Sequence, residues 1–451
     1  MKPKIFSKTF YIAIGIILGL VVIAFLLINT PFTPPNQKQS SNKSQQTFFI
    51  LSDTHFLAPE LHDDGKAFTF IKGTAAGKDL DYQKASLEAF VATALRDKPD
   101  GIIITGDLTL NGEKISAEKM VQLFAPLADA KIPLYCIPGN HDIHDGWARK
   151  YQGSEQKTTP QISPEDFKKI FSQGYQNALA TAPEDLSYSL SINADYRLIL
   201  LDSNLYTRDD SGSQPVTQGK LRDSTLKWLR EQLEAAKEAK QHSLLFIHHN
   251  LLKHNPTVYK GYVLENAETV KKLLKDYDVP AVFSGHIHAQ DIMQEDGLTE
   301  IVSSSFAIID HGYGVLTLSD SKIDYQRKTI SVSSWAKSQT NLDGKLKKTL
   351  SQHDDYLYHL FNQDGQRLAY QTLMEQGIYD EKSLEPVAHF VGQTNIDYFR
   401  GTDFISDEKL QTLKQQSGYQ LLAKNSDFLK DYVDFALQDH NLNDQKWRHR
   451  Y

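Results

Sequence analysis

Short apolar runs alternate with helix-like segments between residue 47 and about residue 331. Each run is rich in Ile, Leu, Val or Phe and leads into polar residues, which is typical of buried strands that end in loops. The runs are TFFILSD, GIIITGD, IPLYCIPGN, YRLILLDSN, SLLFIHH and VPAVFSGH. Between them, residues 82–97 and 224–240 carry apolar side chains at helical spacing. The alternation predicts an α/β domain with a buried sheet at residues 47–334.

The pattern changes after a hairpin-like stretch at residues 314–334. From residue 335 to residue 451, Leu, Tyr and Lys recur at spacings of three and four, which predicts a separate all-helical domain. Its aromatic residues either stack on a substrate or fill the domain's own core, and core filling is favoured because aromatic residues at helical spacing usually pack. The candidates for stacking are Tyr356, Tyr358, Phe361 and Tyr370.

The chain begins with an uncharged apolar stretch at residues 9–29, which is long enough to cross a bilayer as a helix. Three lysines precede the stretch and favour a cytoplasmic amino terminus. A cleaved signal peptide and a core helix are alternatives, but the stretch exceeds a usual signal-peptide core and no Ala-x-Ala site follows. We therefore expect a cytoplasmic tip and transmembrane anchor at 1–29, a flexible stalk at 30–46, and an extracytoplasmic catalytic domain at the cell membrane.

Charge and cysteine content narrow the class of protein. A formal net charge of -7 disfavours a broad basic face for nucleic acid, so no stable nucleic-acid partner is expected. A small phosphorylated substrate remains compatible with this charge. The single cysteine, Cys136, excludes an intramolecular disulfide and lies in an apolar run, where we expect it to be buried and inert.

Polar residues that can bind metal follow five of the predicted strands. They are Asp53-Thr54-His55, Gly106-Asp107, Gly139-Asn140-His141-Asp142, His248-His249 and Gly285-His286-Ile287-His288. Open α/β sheets place their sites at the carboxyl ends of strands. Carboxylate oxygen together with imidazole suits Mn, Fe or Zn better than a metal that prefers thiolates.

In order and spacing, these segments resemble the motifs of the calcineurin-like metallophosphoesterase superfamily: D-x-H, G-D, G-N-H-D, H and G-H-x-H. The resemblance covers roughly residues 47–319, and the motifs are most similar to those of bacterial membrane-attached, cyclic-nucleotide-type phosphodiesterases. It implies a layered β-sandwich flanked by helices and two divalent or trivalent transition-metal ions. It also implies hydrolysis of a small phosphodiester, with a cyclic nucleotide as one candidate, by a hydroxide shared between the metals.

The resemblance further implies a role for each motif residue. Asp53, His55 and His288 would hold the first metal, Asn140, His248 and His286 the second, and Asp107 would bridge them. His141 would face the phosphate, and Asp142 would orient its imidazole. Many family members have a proline soon after the fourth motif; its absence here leaves His249 as an alternative to His248, and strand alternation favours His248.

Other polar residues near the motifs have two interpretations each. The loop histidines His62, His144, His254 and His311 either contact substrate or are solvated. Residues 111–113 either line the pocket or form a turn, and Lys253, Lys260 and Tyr262 either bind a phosphate or base or lie on a solvated surface.

Two further functions compete with a diesterase: a phosphomonoesterase or pyrophosphatase acting on nucleotides or lipid head groups, and an adhesin or scaffold without turnover. The complete ligand set argues against the scaffold.

Overall fold

A computed structural model describes residues 45–206, 209, 211–439 and 441–451. The predicted anchor and nearly all of the predicted stalk lie outside these residues. Among the helices of the described part, none is both long and apolar enough to span a bilayer. The last two residues assigned to the stalk, Gln45 and Gln46, instead begin a strand in which Gln46 is buried opposite Leu318.

Fifteen strands form two large sheets and one hairpin within the described residues. They are β1 (Gln45–Leu51), β2 (Gly101–Thr105), β3 (Leu134–Ile137), β4 (Arg149–Gln152), β5 (Glu155–Thr158), β6 (Ala180–Thr181), β7 (Tyr188–Ser191), β8 (Tyr196–Leu201), β9 (His242–Ile247), β10 (Ala281–Ser284), β11 (Asp291–Glu295), β12 (Leu298–Val302), β13 (Gly312–Ser319), β14 (Lys322–Thr329) and β15 (Lys446–Arg450). The six-stranded sheet has the order β15-β14-β13-β1-β2-β3, and the seven-stranded sheet has the order β11-β12-β10-β9-β8-β7-β6. The hairpin pairs β4 with β5.

Neighbouring parallel strands bring the motifs together. In one sheet β1, β2 and β3 run parallel, and in the other β8, β9 and β10 do so. Because parallel neighbours end at the same edge of a sheet, the loops that follow them share that edge. All six apolar runs expected to be strands are strands, and Cys136 is buried within β3 as predicted.

The two sheets pack face to face. Phe48 and Ile50 of β1 lie in one buried cluster with Leu244 and Phe246 of β9. Since successive side chains of a strand point to opposite faces, Phe49 and the other alternate residues of β1 enter a second cluster on the outer face. This arrangement confirms the expected α/β metallophosphoesterase sandwich.

Helices cover both outer faces and form the carboxyl-terminal region. They are α1 (Lys66–Thr74), α2 (Gln83–Asp97), α3 (Lys114–Asp129), α4 (Pro164–Ile170), α5 (Ser172–Asn177), α6 (Asp223–Glu238), α7 (Ala267–Asp276), α8 (Val332–Ser338), α9 (Gly344–Leu350), α10 (His353–Glu375), α11 (Glu381–Phe399), α12 (Asp407–Lys414), α13 (Ser417–Asn425) and α14 (Asp427–Ala436). Phe90 of α2 and Phe124 of α3 cover the six-stranded sheet, while Trp228 of α6 and Leu274 of α7 cover the seven-stranded sheet. The predicted helical character after residue 335 is confirmed.

The very end of the chain is not helical, which corrects the all-helical prediction for residues 335–451. Strand β15 pairs antiparallel with β14 and extends the six-stranded sheet. Its sequence alternates: Trp447 packs against the cluster between the sheets, while Lys446 and Arg448 are exposed. A period of two over five residues is too short to stand out beside the helical periodicity before it.

A buried polar pair joins the helical region to the sandwich. His353 at the start of α10 lies with Nε2 2.8 Å from Oδ2 of Asp79, and both side chains are about 1% exposed or less. The other carboxylate oxygen, Oδ1, accepts hydrogen bonds from the backbone of Asp81 and Tyr82. The ring of His311 stacks on that of His353 with centroids 5.3 Å apart. Asp79 is therefore held from two directions.

Replacing His353 by alanine should destabilise the protein strongly. We expect a loss of about 3 to 5 kcal/mol in unfolding free energy, because the Asp79 carboxylate would remain buried without its imidazole partner. Denaturant titration followed by circular dichroism measures the loss. Lys275→Ala, which removes an exposed pair with Asp296, should cost less than about 1 kcal/mol. Equal losses for the two variants would contradict this assignment.

Candidate metal centre

The carboxylate of Asp107 lies where two groups of potential metal ligands meet. Asp107 follows β2, and its Oδ2 lies 3.6 Å from Nε2 of His55 and 3.5 Å from Nε2 of His248. The first group is Asp53, His55, Asp107 and His288; the second is Asp107, His248 and His286. Within each group the ligand atoms lie within 4.8 Å of one another. One carboxylate therefore belongs to both groups, as a bridging ligand must.

The first group has the donor arrangement that a cation requires. Nε2 of His55 lies 3.0 Å from Nε2 of His288, and Oδ1 of Asp53 lies 3.3 Å from the latter atom. Ligands about 2.1 Å from one metal lie roughly 3 to 4 Å from each other, so these separations fit a shared ion. Oδ1 of Asp53 is buried and accepts no hydrogen bond from the described residues. A metal would supply the partner that this oxygen lacks.

In the second group, hydrogen bonds select which imidazole nitrogen is available. Nδ1 of His248 lies 2.9 Å from the carbonyl of Thr105, and its Nε2 faces Oδ1 of Asn140 at 3.1 Å. Nε2 of His286 lies 3.0 Å from the carbonyl of Thr217, so it donates and leaves the lone pair on Nδ1. Orientation of a ligand imidazole by a backbone carbonyl is the usual support of a metal site.

His249 is turned away from this group. Its Nδ1 lies 2.7 Å from the hydroxyl of Ser203, and its Nε2 lies 3.1 Å from the carbonyl of Thr217. Both nitrogens therefore have polar partners outside the ligand cluster. The structure places His248, and not His249, beside Asp107.

His141 lies beside the first group, but Asp142 does not orient it. The His141 ring is centred 5.4 Å from that of His55, and its Nδ1 lies 3.1 Å from Oδ1 of Asn111 and 3.5 Å from Oδ2 of Asp145. Asp142 instead accepts hydrogen bonds from Thr109 and from the backbone of residues 108, 109 and 139. The expected role of Asp142 is thus corrected: it ties the G-D loop to the G-N-H-D loop, and the imidazole contacts Asn111 and Asp145.

Electrostatics favour the forms of these residues that bind metal. Burial raises the pKa of Asp107, but the nearby His248 and His141 outweigh burial and hold it well below its usual range. Burial lowers the pKa of His286 to about 3 and, with the charge of Lys78, holds that of His55 well below normal. Burial also acts to lower the pKa of His248, but Asp107 raises it to about 9. A metal at His248 therefore displaces a proton, while the other groups are ready to ligate.

The backbone at the ligands is unusual. Five of the seven expected ligands have positive φ: Asp53 at 52°, His55 at 40°, Asp107 at 48°, His286 at 70° and His288 at 64°. Such conformations are uncommon outside glycine and cluster at functional sites. All five residues lie in the loops that directly follow β1, β2 and β10.

Two motif glycines permit the close approach of the loops. A Cβ at Gly139 would overlap the backbone nitrogen and Oδ1 of Asp107, and a Cβ at Gly285 would overlap the side chains of Ser52 and Asp53. These glycines contribute the space in which the carboxylates are held.

Most of the other sequence candidates lie elsewhere. His254 is buried against Asp291 and Glu300, which raise its pKa to about 10 although burial acts to lower it. His311 is buried beside His353. Neither the solvated nor the substrate interpretation therefore applies to His254 or to His311. His62 stacks on Phe68. The Tyr262 ring does approach the site, with its centroid 5.0 Å from that of His286.

The aromatic residues of α10 divide between core and surface. Phe361 is buried with Ile308 and Ile396, and Tyr370 packs on the core of the helical region. Tyr358 packs against the same cluster as Phe361, and its hydroxyl donates a hydrogen bond to Gln393, so core filling holds for these three residues. Tyr356 instead donates a hydrogen bond to Asp81.

Sequence comparisons agree with this geometry. A family model described as calcineurin-like phosphoesterase matches residues 46–290, which is more than half of the chain. The chain belongs to the calcineurin-like phosphoesterase family. A second model, described as the C-terminal domain of cyclic nucleotide phosphodiesterase, matches residues 331–443. The resemblance drawn from the five motifs of this phosphoesterase is confirmed.

Two relatives are about a quarter identical to this phosphoesterase over the residues that align. A probable cyclic nucleotide phosphodiesterase of Psychrobacter arcticus is 26% identical over 220 residues, covering 48% of this chain and 66% of the relative. The glycerophosphodiester phosphodiesterase GpdQ of Enterobacter lignolyticus is 24% identical over 239 residues, covering 53% and 69%. A solved dimetal phosphatase from Danio rerio aligns with a TM-score of 0.49 at 14% identity, covering 63% of this chain and 96% of that chain.

Replacing Gly139 by alanine should weaken metal binding. The added methyl group displaces the Asp107 carboxylate, and we expect affinity for Mn²⁺ to fall by roughly tenfold or more, the loss typical of disturbed ligand support. Bound metal is measured by mass spectrometry after dialysis against graded Mn²⁺. Gly344→Ala is the control, because a Cβ there meets nothing within 4 Å. Unchanged affinity in Gly139→Ala would contradict the tight packing of these loops.

Proposed function

We propose that this phosphoesterase hydrolyses a small phosphodiester at a two-metal centre, with a cyclic nucleotide as the first candidate. The observation that carries the proposal is the position of Asp107, whose Oδ2 is within 3.6 Å of imidazoles from both ligand groups. Two ions such as Mn, Fe or Zn, when bound there, would polarise the phosphate and acidify a water at neutral pH. The family membership supports phosphate ester chemistry.

The residues of the chain supply position and proton transfer. Asp107 fixes the spacing of the two ligand groups, and Asp53 and Asn140 provide oxygen ligands on either side. His141 is 26% exposed, so it can reach a bound substrate. Because its Nδ1 is held by Asn111 and Asp145, its Nε2 is left to donate a proton to a phosphate oxygen or to the leaving oxygen.

The names of the matched relatives support a diester over a monoester. Both sequence relatives are named as phosphodiesterases, and the model matching residues 331–443 carries the cyclic nucleotide name. We extend that substrate class to this chain as part of the proposal. If the catalytic domain is displayed outside the membrane, its substrate is found there, and turnover of a cytosolic second messenger is a less natural role.

Two aryl esters separate the proposal from its main alternative. In the presence of Mn²⁺, bis(4-nitrophenyl) phosphate should be cleaved faster than 4-nitrophenyl phosphate, measured as release of nitrophenolate. Asp107→Asn should lower kcat by roughly 100-fold or more, because it removes charge from the centre of the site. The exposed Asp129→Asn is the matched control. Faster cleavage of the monoester would favour a phosphomonoesterase, and a screen of cyclic nucleotides, dinucleotides and glycerophosphodiesters would then identify the leaving group.

We also propose that residues 1–29 anchor the protein in the cell membrane with the catalytic domain outside. The uncharged stretch at 9–29 and the lysines before it support this topology. The polar residues from 30 onward would serve as the stalk.

Deletion of residues 1–29 should release the protein from the membrane. In fractionated cells, the full chain is expected in the membrane pellet after a carbonate wash, and its catalytic domain should be degraded by protease added outside. A chain lacking only residues 31–41 keeps the anchor and should remain in the pellet. A mature form that has lost its amino terminus and appears in the medium would instead establish a cleaved signal peptide.

A further inference from the structure

A further cluster of metal-binding side chains lies apart from the five motifs. Its members are Asp79 in the loop between α1 and α2, His311 directly before β13, and His353 at the start of α10. One ligand atom from each residue lies within 4.8 Å of those from the other two, which is the condition that both groups at the metal centre also meet. Phosphoester hydrolysis at the metal centre gives this cluster no role.

The three side chains are buried and lie in direct contact. Asp79 is 0% exposed, and His311 and His353 are each 1% exposed. Oδ2 of Asp79 lies 2.8 Å from Nε2 of His353, and the rings of the two histidines stack with their centroids 5.3 Å apart. Ligand atoms about 2.1 Å from a tetrahedral ion lie roughly 3.4 Å from each other, so small side-chain shifts suffice to enclose an ion.

Hydrogen bonds prepare His311 to act as a ligand through Nε2. Its Nδ1 lies 2.7 Å from the carbonyl oxygen of Phe306, so Nδ1 donates and the lone pair stays on Nε2. Burial and the neighbouring His353 lower the pKa of His311 to about 4, which keeps the imidazole neutral at physiological pH. A neutral imidazole that is fixed by a backbone carbonyl is the usual form of a metal ligand.

His353 has a nitrogen that the protein's own groups do not use. Its Nδ1 is buried and makes no hydrogen bond to the described residues. Buried polar atoms without a partner are uncommon in native proteins, and an ion is one of the explanations for them. A cavity of about 560 Å³ is lined in part by His353, so an ion can approach the cluster from solvent.

We propose that Asp79, His311 and His353 bind a Zn²⁺ ion that fastens the helical region to the sandwich. Two imidazoles and a carboxylate are a ligand set that zinc takes, and a fourth position is left for water or for the hydroxyl of Ser86, which lies 3.1 Å from Nε2 of His311. Asp79 and His353 are 274 residues apart along the chain. An ion that joins them stabilises the folded state, because the unfolded chain does not hold these ligands together.

The zinc content of the protein tests the proposal without turnover. Full-length protein is loaded with Zn²⁺, separated from free metal by gel filtration and analysed by mass spectrometry. His353→Gln and His311→Gln should each contain about one zinc ion per chain less than the wild type. The glutamine amide can still donate to Asp79 or to the carbonyl of Phe306, so each variant keeps a hydrogen-bond donor and loses an imidazole ligand.

A matched control lies on the same helix. His359→Gln makes the same substitution at an exposed position of α10 and should contain as much zinc as the wild type. Folded His353→Gln and His311→Gln proteins with the zinc content of the wild type would overturn the proposal and leave the cluster as a hydrogen-bonded contact.

The difference in zinc content does not depend on the proposed function. If the centre at Asp107 bound no metal, the wild type would contain about one zinc ion per chain and His353→Gln would contain none. If only the proposal for Asp79, His311 and His353 were wrong, Asp107→Asn would lower the zinc content and His353→Gln would not.

Thermal unfolding gives a second readout in a variant that keeps the Asp79–His353 pair. Added Zn²⁺ should raise the melting temperature of chelator-treated wild-type protein by roughly 2 °C or more above the rise in His311→Gln, because an ion that binds only the folded state stabilises it. Circular dichroism follows the transitions, and His359→Gln should respond as the wild type does. Equal rises in the wild type and His311→Gln would contradict a zinc ion held by His311.

Discussion

The buried carboxylate of Asp107 is the point on which the two sheets converge. His55 reaches it from the loop after β1 in the six-stranded sheet, and His248 reaches it from the end of β9 in the seven-stranded sheet. A ligand shared in this way requires both sheets to end on the same side of the sandwich. The face-to-face packing therefore decides whether the centre exists. Each of the two ligand groups contains residues from both sheets, so a shift of one sheet against the other would pull apart the ligands within each group.

Holding the ligands at this junction imposes strain on the backbone. Each non-glycine residue in a left-handed conformation costs on the order of 1 kcal/mol or more, and the surrounding contacts must offset that cost. Gln83 donates to the carbonyl of His55 and accepts from the backbone of Leu57, so one side chain fixes the first ligand loop. The hydroxyl of Ser305, in the loop between β12 and β13, donates to the carbonyl of Asp53. These contacts hold the ligand loops in place, which reduces the reorganisation that metal binding requires.

The sequence predicts the sandwich and the ligands because both have strong local signals: long apolar runs and polar residues directly after them. It does not predict β4, β5 or β15, whose strands are short and rich in charge. The motifs also give no sign that Asp145 contacts the His141 imidazole, although its position four residues after His141 in the same loop makes such a contact possible. His254 was misjudged for another reason. Its carboxylate partners Asp291 and Glu300 lie far along the chain, and only the folded structure brings them together.

The position of β15 has a consequence for biosynthesis. Residues 446–450 cover the edge of β14, while β1, more than 390 residues earlier, is an inner strand of the same sheet. During translation the other strands of the catalytic sheet can assemble early, but its outer strand arrives only after the helices α8 to α14 have been synthesised. Until then β14 presents unpaired backbone groups, the kind of edge that promotes association between chains. A chain that ends before β15 would keep every metal ligand and still expose that edge, so the closure of the sheet depends on a segment that contributes nothing to the metal centre.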